Sequence, residues 1–299
     1  MVEYYQGIFQ RFGSKGSALT VVPFNQGSKQ DVEAVVDYIY SILGLDLDYI
    51  IPFAGVPEIG CEIDSLGNKL ELAHRIMLVN LLRLLGAVKV KKASRHFITR
   101  PTQVILPLSP NHGLFGNDGL YSESKISLET LFNGWASESW GEYLCLAGAV
   151  IGWIRGTGLM DASDIVAHNV ESYGCCTFSA KEMAFNILGL MHPLLFSITQ
   201  VEPIWADLNG CMDCIPDLTD MTGCIRQDLQ KSALQRAVAR DNAADFKTIN
   251  GVEAERVLQS VNVTLAQTSN STSLLFSLLN LWKILLSFMV SLISRRSSS

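Results

Sequence analysis

The stretch SPNHGLFGNDGLYSESK holds a hydroxyl, a phenol and an ammonium, Ser109, Tyr121 and Lys125, whose chemistries complement one another. A free phenol titrates at about pH 10 and donates protons poorly near neutrality; an ammonium one helical turn away favours the phenolate and lowers that value. Tyr121 beside Lys125 is therefore expected to act as a general acid. The Ser109 hydroxyl is suited to hold a substrate carbonyl oxygen and to stabilise the negative charge that grows there when hydride reaches carbon. The set suits reduction of a ketone. The plain alternative for Tyr-x-x-x-Lys is an exposed helix pair contributing roughly a few tenths of a kcal/mol.

The elements around these residues predict that they converge. Ser109 directly follows the apolar run TQVILPL, Thr102 to Leu108. Tyr121 comes after a turn rich in glycine (Gly113, Gly116, Gly119) and opens a helical stretch on which Lys125 shares its face. Four more short apolar runs read as buried parallel strands: Ala18 to Phe24, Leu47 to Phe53, Tyr143 to Gly152 and Pro203 to Leu208. Amphipathic stretches of helical length lie between them, at Asp31 to Leu43, Lys69 to Val88, Ser122 to Ser139 and Ser179 to Met191. This alternation predicts an α/β class with an open, doubly wound, Rossmann-like parallel sheet. In such sheets ligands bind beyond the carboxyl ends of the strands, where Ser109 falls.

Composition limits the alternatives. With 48% hydrophobic residues in 299, the chain can bury one large core, with or without appendages. A formal net charge of -6 gives no field for nucleic acid, so none is expected as a partner. The one locally basic segment, Lys89 to Arg100, reads as a solvated loop between a helix and a strand. Seven scattered cysteines, and no apolar signal segment at the start, fit a reduced, cytoplasmic setting; the sequons at Asn262 and Asn270 then read as chance matches. Cys211, Cys214 and Cys224 resemble part of a zinc site without a fourth ligand, so no metal is expected. Cys175 and Cys176 read as packing. His74 and His192 read as structural, leaving His112 as the histidine to test for substrate contact.

Ser109, Tyr121 and Lys125 together resemble the catalytic triad of the short-chain dehydrogenase/reductases. The blocks VVPFNQGSKQDVEAVVDYIY, LDYIIPFAGVPEIG, LELAHRIMLVNLLRLLGAV, RPTQVILPLSPNHGLFGNDGLYSESK, GAVIGWIRGTGLM and ADLNG resemble the ketoreductase domain of the fungal fatty acid synthase alpha subunit, from about Val2 to about Gly251. The resemblance implies NADPH-dependent reduction of 3-oxoacyl groups on acyl carrier protein, within the rest of a fatty acid synthase complex. It implies that Tyr121 donates the proton, that Lys125 tunes it and binds the nicotinamide ribose, and that Ser109 holds the carbonyl. Asn80 matches an asparagine that supports a water-linked proton relay to the lysine; read by itself it is a polar residue satisfied within its helix. Ala54 and Gly55, in PFAG, match the strand end where small residues admit the adenosine side of the cofactor. Gly152 and Thr157, in GWIRGTGLM, match the nicotinamide side, with Trp153 standing where the superfamily has a proline-glycine pair.

Both ends depart from the resemblance. No glycine-rich turn between a strand and a helix precedes Ala18; Gly7, Gly13 and Gly16 lack that spacing, and VEYYQGIFQRFG reads as a helix. Met1 would fall after the first two strands, opening a gap between Ala18 to Phe24 and Leu47 to Phe53. Unpaired buried main-chain groups cost about 1–3 kcal/mol each, so the isolated chain is expected to fold poorly or to re-pair its strands. The expected partition is a partial reductase domain over 1–251, a polar linker over 252–273 and a hydrophobic helical tail over 274–299. Leu274 to Ile293 carries Lys283 near its centre and a narrow stripe of Ser277, Asn280, Lys283, Ser287, Ser291 and Ser294. A helix in a membrane interface, a bundle helix with its stripe inward and a non-native tail all remain open. Two functional readings follow: the catalytic half of a 3-oxoacyl reductase, and a non-catalytic remnant serving as an interaction module, with possible membrane contact.

Overall fold

The computed structural model describes residues 2–58, 60–95, 99–157, 164–215 and 218–250. The expected linker and hydrophobic tail, and both sequons, lie outside the described residues. Strand β2 is Thr102–Leu108 and β3 is Leu144–Ile151. Their sequences, TQVILPL and LCLAGAVI, are short and nearly all apolar, as suits strands covered on both faces, and they run parallel from Thr102↔Leu144 to Leu108↔Val150. β1 (Tyr49–Ile50) lies outside β2, and β6 (Ile204–Leu208) lies outside β3, giving a parallel sheet in the order β1-β2-β3-β6. A two-stranded parallel pair joins β4 (Ile154–Arg155) to β5 (Phe178–Ser179).

Successive side chains of β2 point to opposite faces, and helices cover both. Val104, Leu106 and Leu108 meet Val32, Val36 and Ile39, from α2 (Lys29–Asp37) and its extension, and Leu81, Leu84 and Val88 of α4 (Asn80–Ser94). Ile105 faces the other way, onto Met183, Ile187 and Leu190 of α7 (Ala180–Leu190). Each fully buried side chain of this size contributes about 1.5–3 kcal/mol. The doubly wound α/β arrangement is as expected. The described residues also include α1 (Val2–Phe12), α3 (Asn68–His74), α5 (Tyr121–Ser137), α6 (Asp164–Ser172) and α8 (Pro193–Thr199). A second unit, beginning at Pro216, contains α9 (Leu218–Asn250). Among the described residues no single helix is long and apolar enough to cross a membrane.

Four expectations need correction. Ala18 to Phe24 has no regular secondary structure and pairs with no described strand; its apolarity predicts cover, which Phe24 finds against the core, but a ladder also needs a neighbour. It does not re-pair with β1, whose ladder is only two residues long rather than seven. The helix expected over Lys69 to Val88 is interrupted by a π-helical stretch, Arg75–Val79, and α2 likewise continues as π-helix over Tyr38–Ile42. The basic segment is not a solvated loop in its first half: α4 runs to Ser94, and Lys92 is 1% exposed, with its ammonium bonded to Asp46 (3.0 Å), Thr102 (3.1 Å) and the Arg100 carbonyl (3.2 Å).

Candidate active site

β2 ends at Leu108 and delivers Ser109, buried, to the carboxyl rim of the sheet. The chain then makes a turn held by polar side chains. Asp118 Oδ2 accepts from Asn111 Nδ2 (2.9 Å) and Ser122 Oγ (2.5 Å), while the Asp118 carbonyl accepts from the Tyr121 N–H (3.0 Å). Ser109 Oγ accepts from the Asn111 N–H (3.1 Å). Gly119 has φ +60, and a Cβ there would lie 2.8 Å from Leu70 Cδ2, so both conformation and space select glycine. This bracing fixes where α5 starts, and with it the direction of Tyr121.

Ser109, Tyr121 and Lys125 come together. The Ser109 hydroxyl lies near enough to the Tyr121 phenol to act on its acidity. The Lys125 ammonium lies 5.5 Å from the Tyr121 ring centre and donates to the Pro107 carbonyl (2.8 Å). The electrostatics differ from expectation. Burial pushes the Tyr121 phenol above its ordinary value, the nearby Ser109 hydroxyl opposes this, and the Asp118 charge adds to it. The lowering expected from Lys125 is overridden by desolvation, which also brings the lysine itself down to about 8. Tyr121 is thus firmly protonated at neutrality, as a proton donor must be at the start of a reduction.

Asn80 follows the π-helical stretch directly and is fully buried. Its Nδ2 donates to the Gln26 carbonyl (2.5 Å), and its Oδ1 accepts from Arg83 Nη1 (2.7 Å). Gln26 answers with its own side chain, donating to the Ile76 carbonyl within the π stretch (2.8 Å). The asparagine is therefore satisfied partly by a distant loop, not only within its helix. π-helical irregularities of this kind recur at functional sites.

The remaining candidates scatter. Ala54 packs, with Tyr121, against Val56, Ala73, Ile76 and Met77, so it borders the same site. A Cβ on Gly55 would meet only Met77 Sδ, at 3.9 Å, which leaves open space there. Gly152 has a structural reason to be glycine: a Cβ would lie 2.3 Å from the Asn209 carbonyl oxygen. Thr157 Oγ1 points back to the Ile154 carbonyl (3.4 Å), and the following residues, 158–163, lie outside the described residues. His112 pairs with Glu129 of α5 (2.8 Å), His74 with Ser124 (2.8 Å), and His192 caps α8. Among the described residues no cluster of three or more His, Cys, Asp or Glu could hold a metal ion. Cys175 is buried beside Trp153, whereas Cys176 is exposed.

No family model matches the sequence. Over 267 residues, 88% of its length, the chain is 58% identical to the fatty acid synthase subunit alpha of Schizosaccharomyces pombe, and over 269 residues it is 52% identical to that of Saccharomyces cerevisiae. It spans 14% of the length of these curated relatives. The chain is homologous to a segment of the fungal fatty acid synthase alpha subunit. A 3-oxoacyl-[acyl-carrier protein] reductase from Brucella melitensis, solved with NAD, aligns at TM-score 0.57 and 16% identity, over 67% of this chain and 80% of its own. A short-chain dehydrogenase/reductase from Serratia marcescens aligns at TM-score 0.56 and 18% identity, over 70% and 83%. At such identities the likeness shows the fold, and the fold is Rossmann-like.

In this synthase homologue three residues that hold Asn80 or the start of α5 escaped the sequence reading. Gln26 sits in a polar loop and gave no signal. Asp118 lay inside the quoted stretch, and its offset of three before Tyr121 is the spacing of a turn or cap residue, which could have found it. Glu58, in GVPEIG, reads as a loop acid, yet it is 3% exposed and accepts a hydrogen bond from the Leu120 N–H (2.9 Å).

Proposed function

We propose that this segment carries the proton-donating and carbonyl-binding side of an NADPH-dependent reduction of 3-oxoacyl groups on acyl carrier protein, within a fatty acid synthase assembly in the cytoplasm. The observation that carries the reading is the meeting of Ser109 and Tyr121 at the rim of β2, with the Lys125 ammonium 5.5 Å from the tyrosine ring centre. A ketone oxygen between the two hydroxyls would accept from both, so that the developing alkoxide takes its proton from Tyr121. Lys125, held by Pro107, keeps positive charge beside the phenol as that proton leaves.

NADPH supplies the hydride when bound. The residues present fit its nicotinamide end: Tyr121 and Lys125 offer donors at the rim, and the buried Trp153 indole N–H, just beyond β3, has no partner. Ala54 and Gly55 leave room beside them. The diphosphate end is not matched among the described residues. The start of α2 is capped by Ser28, which accepts from the Asp31 N–H, and the Asp31 carboxylate opposes a phosphate there.

The test is NADPH oxidation by the chain with a 3-oxoacyl thioester on acyl carrier protein, compared with Tyr121→Phe. Turnover that disappears in the variant supports the reading; turnover that survives overturns it. A non-catalytic interaction module is the second reading, favoured by the unpaired Ala18 to Phe24 segment and the two-residue β1. A folded chain without turnover would carry that reading instead.

A further inference from the structure

Past β1 the chain runs alongside the loop that leads into α5, and four contacts zip the two together. The Gly60 N–H donates to the Asn117 carbonyl (2.8 Å), the Gly119 N–H to the Cys61 carbonyl (3.1 Å), Cys61 and Asp118 form a parallel bridge, and the Leu120 N–H donates to Glu58 Oε2 (2.9 Å). The last contact matters most for Tyr121. Leu120 is the N-cap residue of α5 and supplies no side-chain cap of its own, so a side-chain oxygen of a distant residue holds the helix start. The approach is built in closely: a Cβ on Gly119 would lie 3.1 Å from Glu58 Oε2 and 3.0 Å from its Cβ.

Glu58 is also a buried acid left half satisfied. Its Oε1 is enclosed and has no hydrogen-bond partner. Burial pushes its carboxyl up to about 7, against the pull of the Leu120 hydrogen bond. Among the surrounding charges, Asp118 of the loop and Glu123 of α5 raise it further, and Lys69 of α3 opposes them. Asp118 acts on Tyr121 in the same sense.

We propose that Glu58 is a positioning residue for the Tyr121 phenol, holding the start of α5 through Leu120 with a grip that depends on whether the carboxyl carries a proton. The proposal rests on Tyr121 being the proton donor, as read above. When neutral, Glu58 still accepts from the Leu120 N–H and places no charge against Asp118 and Glu123. When ionised, it is a buried anion facing two others, with one oxygen unsolvated, and the zipped segments separate more readily. The sign follows from linkage. A carboxyl that binds its proton more tightly when the segments are closed than when they are open favours closure at low pH. That advantage is lost as the pH rises through the closed-state value.

The test is amide hydrogen exchange in the full 299-residue chain, as protection factors corrected for the intrinsic exchange rate, at about pH 5.5 and about pH 7.5, on either side of the Glu58 titration and below that of Lys125. Peptides covering 117–124 should lose protection on the order of tenfold between the two, while β3 peptides should not. Glu58→Gln keeps the acceptor and cannot ionise, so its protection should be the same at both values; Glu58→Leu should be poorly protected at both. Protection in the unaltered chain that does not change with pH, or a Glu58→Gln profile that follows it, overturns the proposal. Where turnover is measured, Glu58→Gln should remove an inflection in the kcat profile with little change in KM. Exchange that behaves as expected in a chain without turnover would end the reductase reading and leave only the Glu58 grip on the start of α5 standing; turnover with exchange that does not behave so would keep that reading and overturn the role of Glu58.

Discussion

The Lys125 ammonium, buried at the start of α5, donates a 2.8 Å hydrogen bond to the carbonyl of Pro107, two residues before Ser109. This single bond ties the helix that carries Tyr121 to the strand that carries Ser109. The ladder from β1 reaches β2 only at Gln103 and Val104, so Pro107 lies in a part of β2 that β1 does not pair, where a missing N–H costs little. Helix and strand thus meet at a point the sheet leaves free.

Removing either hydroxyl should separate proton donation from carbonyl binding. Tyr121→Phe is expected to lower kcat by about 10²–10⁴, the usual contribution of a positioned acid. Ser109→Ala is expected to lower it by about 10²–10³, as for loss of one donor to a developing oxyanion. Circular dichroism should show both variants folded; a variant that unfolds would place the residue in the core instead.

Titration of Lys125 gives a pH test with two opposite limbs. Its ammonium is lost above about pH 8, so kcat/KM should decline there. Because the folded chain binds this proton less tightly than the unfolded chain, stability from this group should rise as the pH goes from about 8 to the ordinary lysine range of about 10.4. Lys125→Met should be inactive across the range yet as stable as the unaltered chain or more so, by about 1–3 kcal/mol, since an apolar side chain replaces a buried cation. A destabilised Lys125→Met in urea unfolding would contradict this account.

Two glycines assigned together should respond in opposite ways. Gly152→Ala drives a Cβ into the Asn209 backbone and should cost about 1–3 kcal/mol in thermal unfolding. Gly55→Ala meets only Met77 and should change stability by about 0.5 kcal/mol or less. Should Gly55→Ala weaken NADPH binding at unchanged stability, the assignment of that strand end to the cofactor gains direct support; unchanged affinity removes it.

Lys92→Met should be destabilising although it deletes a buried charge, because Asp46 loses its ammonium and the Arg100 carbonyl and Thr102 hydroxyl lose a donor. About 2–4 kcal/mol is expected, and the double change with Asp46→Asn should recover part of it. Additive losses in that cycle would show that the pair is not coupled.

The sheet was legible where apolarity alone decides the outcome. TQVILPL and LCLAGAVI are too short and too apolar to be anything but covered strands, and the spacing of Tyr121 and Lys125 follows from helix geometry. What depends on a partner was not legible. Ala18 to Phe24 has the composition of a strand but no neighbour to pair with. The direction of the Tyr121 shift depends on how much water the fold removes, which spacing does not encode. Lys92 looked solvated because it lies among basic residues in sequence, and Glu58 in GVPEIG carried no signal; only tertiary contacts bury them. The π-helical stretches carry no mark in the sequence at all.

One of those stretches governs how a long rod of backbone is shared. Each helical residue turns the axis by about 100°, and Arg75–Val79 inserts an extra residue into that count. Upstream, Leu70 is enclosed and Ala73 presses on Val56; downstream, Leu81, Leu84 and Val88 lie beneath the strands. Excising a single residue between 75 and 79 would yield a smoother rod but would swing one half by a little over a quarter turn, detaching either the wall under the tyrosine or the wall under the sheet. The irregular turn lets one rod serve both.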